Sequence, residues 1–154
     1  MIYCVDTSAF MDAWVRWYPQ ELFPSLWNNV DNLIAKERLF SSEEVLQEIE
    51  RKEGDTLYQW AKARETVFLP LDRTVQTHAS AVMASHPRLV DGRTGKSFAD
   101  PFVIATAISK QYTIVTGERA TGTRNRPKIP DVCRDLNIQC IGFTDLIRQE
   151  GWRF

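Results

Sequence analysis

The chain has few of the residues that build zinc centres or covalent catalytic sites. It contains three cysteines and two histidines. Because Cys4, Cys133 and Cys140 have no CxxC spacing, we interpret them as reduced, mostly buried thiols. With His78 and His86 as the only histidines, a serine-type triad or a histidine-rich metal site is poorly supplied. A bound metal would need oxygen ligands, which favours Mg²⁺ or Mn²⁺ over zinc.

The chain also lacks an excess of either charge and a long apolar run. Its 19 basic and 20 acidic residues leave a net charge of -1, so any nucleic-acid binding must use a local basic patch. No run approaches the ~20 apolar residues of a membrane span, and the first residues lack the pattern of a secretory signal. We therefore expect a cytoplasmic protein without membrane contact, forming a single domain over residues 1–154.

The first acidic residue follows a short apolar run. Residues 2–5 (Ile-Tyr-Cys-Val) do not alternate between apolar and polar, which is typical of a strand buried on both faces. Asp6 ends this run. The sequence thus predicts a carboxylate at the carboxyl edge of a sheet, where open α/β sheets bind ligands. An equally weighted alternative is that Asp6 only caps the following helix.

A second acidic residue lies on a predicted helix from Ser42 to about Lys52. Ser41 and Glu44 fit the S-x-x-E capping box, which gives Glu44 a structural role. Glu48 has no such role, although it lies one turn into the helix beside its apolar stripe. Glu48 is therefore the unexplained acid of this helix.

Two more acids lie near the ends of later elements. Asp100 precedes Pro101 at the start of a nearly all-apolar helix, and the pattern favours Asp100 as its N-cap. A predicted strand over residues 112–116 ends at Thr116, and Glu118 follows it. In the alternative interpretation the role of these acids is purely structural, and they cap or brace turns between strands and helices.

Strands alternate with helices along the chain, which predicts an α/β fold, a central mainly parallel sheet with helices on its faces. In such a sheet, strand ends and helix starts converge on one edge. Four carboxylates gathered there repel each other unless a cation neutralises them. One or two Mg²⁺ or Mn²⁺ ions would do so, and could activate a water against a phosphodiester. The residues alone thus indicate metal-dependent hydrolysis of a nucleic-acid backbone.

Four stretches, taken in order, resemble the motifs of PIN-domain ribonucleases, with the closest resemblance to PIN-like proteins related to VapC toxins of toxin–antitoxin pairs. They are Val5-Asp6-Thr7-Ser8, Ser42-Glu43-Glu44-Val45-Leu46-Gln47-Glu48-Ile49, Ala99-Asp100-Pro101-Phe102-Val103-Ile104-Ala105-Thr106-Ala107 and Ile114-Val115-Thr116-Gly117-Glu118. The resemblance implies a three-layer sandwich, Mg²⁺ or Mn²⁺, and endonucleolytic cleavage of RNA. It also implies a cognate antitoxin and a possible homodimer. The implied acidic tetrad, catalytic and metal-binding, is Asp6, Glu48, Asp100 and Glu118.

The resemblance places Thr116 at the family's small hydroxyl position near the acidic pocket, on the substrate side. Glu118 stands where VapC-type members usually have Asp. The following stretch, from Arg119 to Cys133, is longer and more basic than in compact toxins. Its cations are candidate phosphate contacts, with a solvated loop as the alternative. These cations are Arg119, Arg124, Arg126 and Lys128.

Other functions are less compatible with the residues. A haloacid-dehalogenase-type phosphatase needs an Asp where this chain has Ser8, and a von Willebrand-type adhesion site needs a Ser where it has Phe10. A PIN-like module that binds RNA or a protein without cutting remains the main alternative. DNA also remains a possible substrate.

Overall fold

Strands and helices alternate as expected for an α/β protein. The computed structural model describes residues 1–52 and 55–154. The strands are β1 (Tyr3–Val5), β2 (Leu39–Ser42), β3 (Phe68–Leu69), β4 (Thr113–Val115) and β5 (Cys140–Ile141). The α-helices are α1 (Thr7–Met11), α2 (Pro24–Ala35), α3 (Glu43–Lys52), α4 (Asp55–Lys62), α5 (Arg73–Ser85), α6 (Asp100–Lys110), α7 (Ile129–Leu136) and α8 (Phe143–Gln149). A π-helix, Asp12–Trp17, continues α1, and a 3-10 turn, Glu65–Val67, precedes β3.

The strands form one parallel sheet in the order β3-β2-β1-β4-β5. Tyr3 of β1 aligns with Leu39 of β2 on one side and with Thr113 of β4 on the other. All three residues of β1 are fully buried, because this strand lies at the centre of the sheet. The predicted three-layer α/β fold, with a mainly parallel sheet flanked by helices, is confirmed.

The sheet order creates a topological switch point between β1 and β4. The chain moves outward from β1 through β2 to β3, and then returns to the other side of β1 for β4 and β5. Since parallel crossovers are right-handed, this reversal puts the helices of the two halves on opposite faces. In open α/β sheets, ligands bind outside the carboxyl ends of the strands at such a point. Asp6 follows β1 directly and Thr116 follows β4 directly, so both flank this position.

The helix α6 is buried because it is apolar nearly all round. It packs against β1, β2 and β4, and α5 packs on it. This holds Asp100, the first residue of α6, against the sheet edge. Within residues 1–52 and 55–154, no helix combines the length and the apolar character needed to cross a bilayer.

Two of the expected helix caps are wrong. Ser41 belongs to β2, and its hydroxyl donates to the Val5 carbonyl at 2.6 Å instead of capping α3. The Ser42 hydroxyl accepts the Glu44 amide at 3.2 Å in its place. Asp100 lies inside α6, with Ala99 as the N-cap residue. The carboxylate of Asp100 is consequently not used by its own helix.

Candidate functional site

The carboxylate of Asp6 is held in one orientation by three donors. It caps α1 by accepting the Ala9 amide at 2.8 Å. The Thr116 hydroxyl donates at 2.7 Å to Oδ2, and the Ser8 hydroxyl lies 2.9 Å from both oxygens. Asp6 is 2% exposed. Asp6 therefore does cap α1, as the alternative interpretation expected, but the cap uses only its Oδ1, and its Oδ2 bonds to Thr116.

The environment of Asp6 is unfavourable for its charge. Burial raises the pKa of Asp6 to about 7, and the nearby Glu118 carboxylate adds to the rise. The hydrogen bonds from Thr116, the Ala9 amide and Ser8 act in the opposite direction. A buried carboxylate that titrates near neutral pH is typical of a functional site.

Asp100 is the least compensated acid of the described chain. It is 6% exposed, and its buried Oδ2 has no hydrogen-bond partner among the described residues. Burial is the main cause that raises its pKa well above the usual range, followed by repulsion from Glu118, Asp6 and Glu48. Lys128 opposes this rise. The charges of the other three predicted acids thus act on Asp100 at the switch point.

The two glutamates of the cluster each contact a lysine and a backbone amide. Glu48 is 4% exposed, lies 3.3 Å from Lys52 Nζ and accepts the Ala99 amide at 3.2 Å. Glu118 Oε1 accepts the Ile129 amide at 3.3 Å, and its Oε2 lies 3.6 Å from Lys128 Nζ. Each of the two carboxylates is thus held by one backbone amide and lies close to one lysine.

The acidic cluster (Asp6, Glu48, Asp100 and Glu118) fits a hard divalent cation by the chemistry of its donors. All four side chains offer carboxylate oxygens, and Asp100 Oδ2 is a buried acceptor without a donor. Within the described ranges, however, no three His, Cys, Asp or Glu side chains have the spacing of a metal site. Ion binding would therefore require the carboxylates to draw closer together.

The residues predicted for substrate contact are placed differently from one another. Thr116 is 4% exposed, and its hydroxyl also accepts the Glu118 amide at 3.1 Å, so its contacts lie within the acidic cluster. Lys128 contacts Glu118, whereas Arg124 lies 3.9 Å from Asp135. Arg119 and Arg126 are exposed. The stretch from Arg119 is a loop that ends at Ile129, the start of α7.

Sequence reasoning missed two residues that organise this region. Ser8 joins the two strand ends, because its hydroxyl also accepts the Gly117 amide at 2.9 Å. Asp131, a residue type that favours the N-cap position, lies instead in the first turn of α7 and accepts the amides of Thr121, Gly122 and Lys128. Pro130 indicated the true position of Asp131: proline is favoured in the first turn of a helix, so the helix should begin before Asp131.

Replacing Thr116 with valine is expected to destabilise the protein by about 1–2 kcal/mol, because Asp6 Oδ2 loses its shortest hydrogen bond without a change of side-chain shape. Thr116→Ser keeps the hydroxyl and serves as the control. Thermal unfolding of both variants at pH 8, where Asp6 is ionised, measures the effect. Equal melting temperatures for the two variants would contradict a role of the hydroxyl in holding Asp6.

Comparison with solved structures supports the fold. The chain is similar to the crystal structure of VapBC2 from Rickettsia felis bound to a DNA fragment from their promoter. The match has 17% identity and a TM-score of 0.57, and covers 93% of this chain and 99% of the other. A comparison with curated proteins finds no match. A family model described as a domain of unknown function (DUF4411) matches residues 3–154, and the chain therefore belongs to the DUF4411 family.

Proposed function

We propose that the protein is a metal-dependent endoribonuclease that hydrolyses RNA phosphodiester bonds at the acidic cluster. The observation that carries this proposal is Asp100, whose buried Oδ2 lacks a donor while three other carboxylates repel its charge. Such an arrangement is costly without a cation. The shared fold with VapBC2 is compatible with the same conclusion.

The four acidic side chains have two roles in this proposal. Asp6 and Asp100 would hold Mg²⁺ or Mn²⁺ directly, and Glu48 and Glu118 would complete the site directly or through water. The bound ion would supply neutralisation of phosphate charge and a water of lowered pKa. Ser8 and Thr116 keep the Asp6 carboxylate oriented through their hydroxyls. Lys128 offsets part of the negative charge when the carboxylates are ionised.

Partners follow from the same proposal. The solved neighbour is VapBC2, and we extend the proposal to a toxin of a toxin–antitoxin pair with its own antitoxin protein and with possible homodimer formation. An antitoxin side chain carrying a positive charge would be attracted to the acidic cluster, since the four carboxylates there exceed the two contacting lysines, Lys52 and Lys128.

Asp6→Asn is expected to abolish RNA cleavage and to leave the fold intact, because the amide keeps the shape but loses the charge that holds a cation. The measurement is cleavage of labelled structured RNAs with Mn²⁺ or Mg²⁺, and with EDTA as the metal-free condition. Asp72→Asn is a matched control. Asp72 caps α5 by accepting the Val75 amide at 2.9 Å, the same local role that Asp6 has in α1.

The outcomes separate the proposal from its alternative. Cleavage that needs both metal and Asp6, and survives Asp72→Asn, supports the nuclease. Full metal-dependent activity in Asp6→Asn would show that the site is wrong. A folded protein that binds several RNAs and cuts none favours a non-cleaving PIN-like binding module. The lysine and amide contacts already made by Glu48 and Glu118 are the observation behind that second candidate.

A further inference from the structure

Two loops that are far apart in sequence form a basic groove beside the acidic cluster. The groove has a volume of about 780 Å³ and lies between residues 87–97, which precede α6, and residues 121–128, which precede α7. Its lining includes five cations and one acid, Asp91. The cations are Arg88, Arg93, Lys96, Arg126 and Lys128. Sequence reasoning assigned phosphate contact to the second loop alone, and of its four cations only Arg126 and Lys128 line this groove.

The positive charge of the groove is largely unneutralised. In the part of the chain that the structure describes, no ion pair involves Arg88, Arg93, Lys96 or Arg126. The carboxylate of Asp91 accepts the Arg93 amide at 3.0 Å and interacts with the charge of Lys96, so it offsets one of the five positive charges in the lining. Positive charges gathered on one concave surface attract a polyanion.

The first wall of the groove is anchored by a buried histidine. The ring of His86 is 2% exposed and lies 2.8 Å from Ser85 Oγ and 2.8 Å from Asp135 Oδ2 on α7. Leu89 is buried one turn further on. The loop then closes on itself, because the Asp91 amide donates to the Lys96 carbonyl at 3.1 Å. Its cations are therefore displayed from a hydrogen-bonded loop.

The second wall of the groove, residues 121–128, is held in place by Asp131 of α7. Asp131 is 2% exposed and binds the amides of Thr121 and Gly122 at one end of the loop and that of Lys128 at the other. The Thr121 hydroxyl also donates to the Arg126 carbonyl at 2.8 Å. Both walls are thus fixed by contacts with α7.

We propose that this groove binds the sugar–phosphate backbone of a single nucleic-acid strand and leads it to the acidic cluster, an inference that rests on the proposed nuclease function. Lys128 connects the two sites, because it lines the groove and its Nζ lies 3.6 Å from Glu118 Oε2. The volume is that of a small-ligand site, which accommodates a few nucleotides and not a duplex. None of the described residues that line the groove is aromatic and could stack on a base, so the contacts are to phosphates and carry little sequence preference.

The test compares two triple variants that remove the same charge. The groove variant is Arg88→Ala, Arg93→Ala and Lys96→Ala, and the control is Lys62→Ala, Arg73→Ala and Arg148→Ala, whose residues lie outside the groove lining. Fluorescence anisotropy with labelled single-stranded RNA and DNA, in EDTA, measures binding without cleavage. For the groove variant we expect roughly 10- to 30-fold weaker binding and a salt slope smaller by about 2, since single-strand contacts contribute about 0.7 each. The control should stay within about twofold of wild type.

The readout separates this inference from the proposed nuclease. Unchanged affinity and salt slope in the groove variant would overturn the inference even if the protein cuts RNA. Equal competition by duplex RNA would also overturn it. Binding that is lost only in the groove variant supports the groove even if no RNA is ever cut, in which case the nuclease proposal fails alone. RNA and DNA bound equally would support phosphate contact, and a preference for RNA would add contact with the 2′-hydroxyl.

Discussion

Asp100→Asn is expected to make the metal-free protein more heat-stable at pH 8 while reducing cleavage roughly 100-fold or more, since a metal-binding carboxylate is worth several kcal/mol in the transition state. Asp100 is 6% exposed, its Oδ2 has no donor among the described residues, and three carboxylates repel its charge. An amide removes that repulsion and retains the shape. A gain of about 4 °C in melting temperature is expected, equivalent to about 1–2 kcal/mol for a chain of this size.

The pH dependence of this gain tests its electrostatic cause. The pKa of Asp100 is raised in the folded state, so its carboxyl keeps a proton that the unfolded chain has already lost. Stability associated with such a group is complete below its unfolded pKa and is lost as the pH rises through its folded pKa. The pKa of Asp6 is likewise raised, to about 7, so the stability associated with this group is also lost as the pH rises from about 4 to about 7.

Differential scanning calorimetry of wild type and Asp100→Asn in EDTA, from about pH 4 to pH 8, measures the difference. The melting temperatures should be close at the acidic end and diverge as the pH rises. Adding Mn²⁺ should then raise the melting temperature of wild type more than that of the variant, because binding to the folded state stabilises it. A variant that melts below wild type at pH 8 would show that the Asp100 charge is stabilised by its surroundings.

Asp131→Ala is expected to cost about 3 kcal/mol, or roughly 10 °C in melting temperature, and to impair nucleic-acid binding. The side chain accepts three backbone amides, and these donors are left without an acceptor after truncation. Although burial raises the pKa of Asp131, the amide hydrogen bonds outweigh it and lower the pKa to about 2. The stabilising contacts therefore need the ionised form and are lost as the pH falls from about 4 towards 2.

Asp145→Ala is the matched control for Asp131→Ala. Both residues occupy the third position of their helices, but Asp145 accepts a single backbone amide, that of Gly142 at 3.3 Å. Its other donor is the exposed Arg148 guanidinium at 3.0 Å, and its side chain is half-exposed. Its loss should cost less than about 1 kcal/mol. Hydrogen exchange of the amides of Thr121, Gly122 and Lys128 provides a local readout. Retained protection at these amides in Asp131→Ala would contradict the organising role of the carboxylate.

The fold was predictable because its cues are local. The unbroken apolar run before Asp6 and the alternation of strands with helices were sufficient for a parallel α/β sheet. Helix starts were less predictable, because Ser41 and Asp100 each fit a cap by residue type alone. Tertiary contacts determine the actual positions. The Ser41 hydroxyl donates to the neighbouring strand β1 instead of capping α3. The helix α6 begins one residue earlier than expected, so Asp100 is its first residue and not its cap.

Three acidic residues of the site were predictable from their positions, because Asp6 and Glu118 follow strands and Asp100 begins a helix. Glu48 lies within α3, where it was the acid without a capping role. Their assignment as catalytic residues and metal ligands remains a prediction. The groove was not predictable, because it depends on contacts between residues far apart in sequence, such as His86 with Asp135, which are 49 positions apart. Nothing in the local sequence around Arg88 or Arg93 indicates that they face Arg126 across one groove.

The central position of β1 has a consequence for protein synthesis. Tyr3 pairs with Thr113, and the Asp6 carboxylate bonds to Thr116, 110 residues later. At a translation rate of about 5–20 residues per second, β1 waits roughly 5–20 s for its second neighbouring strand to be made. During that interval one edge of β1 is unpaired, and Asp6 is separated from Asp100 and Glu118. The nascent chain therefore has no assembled acidic cluster, and any chemistry performed there is delayed until β4 is added to the sheet.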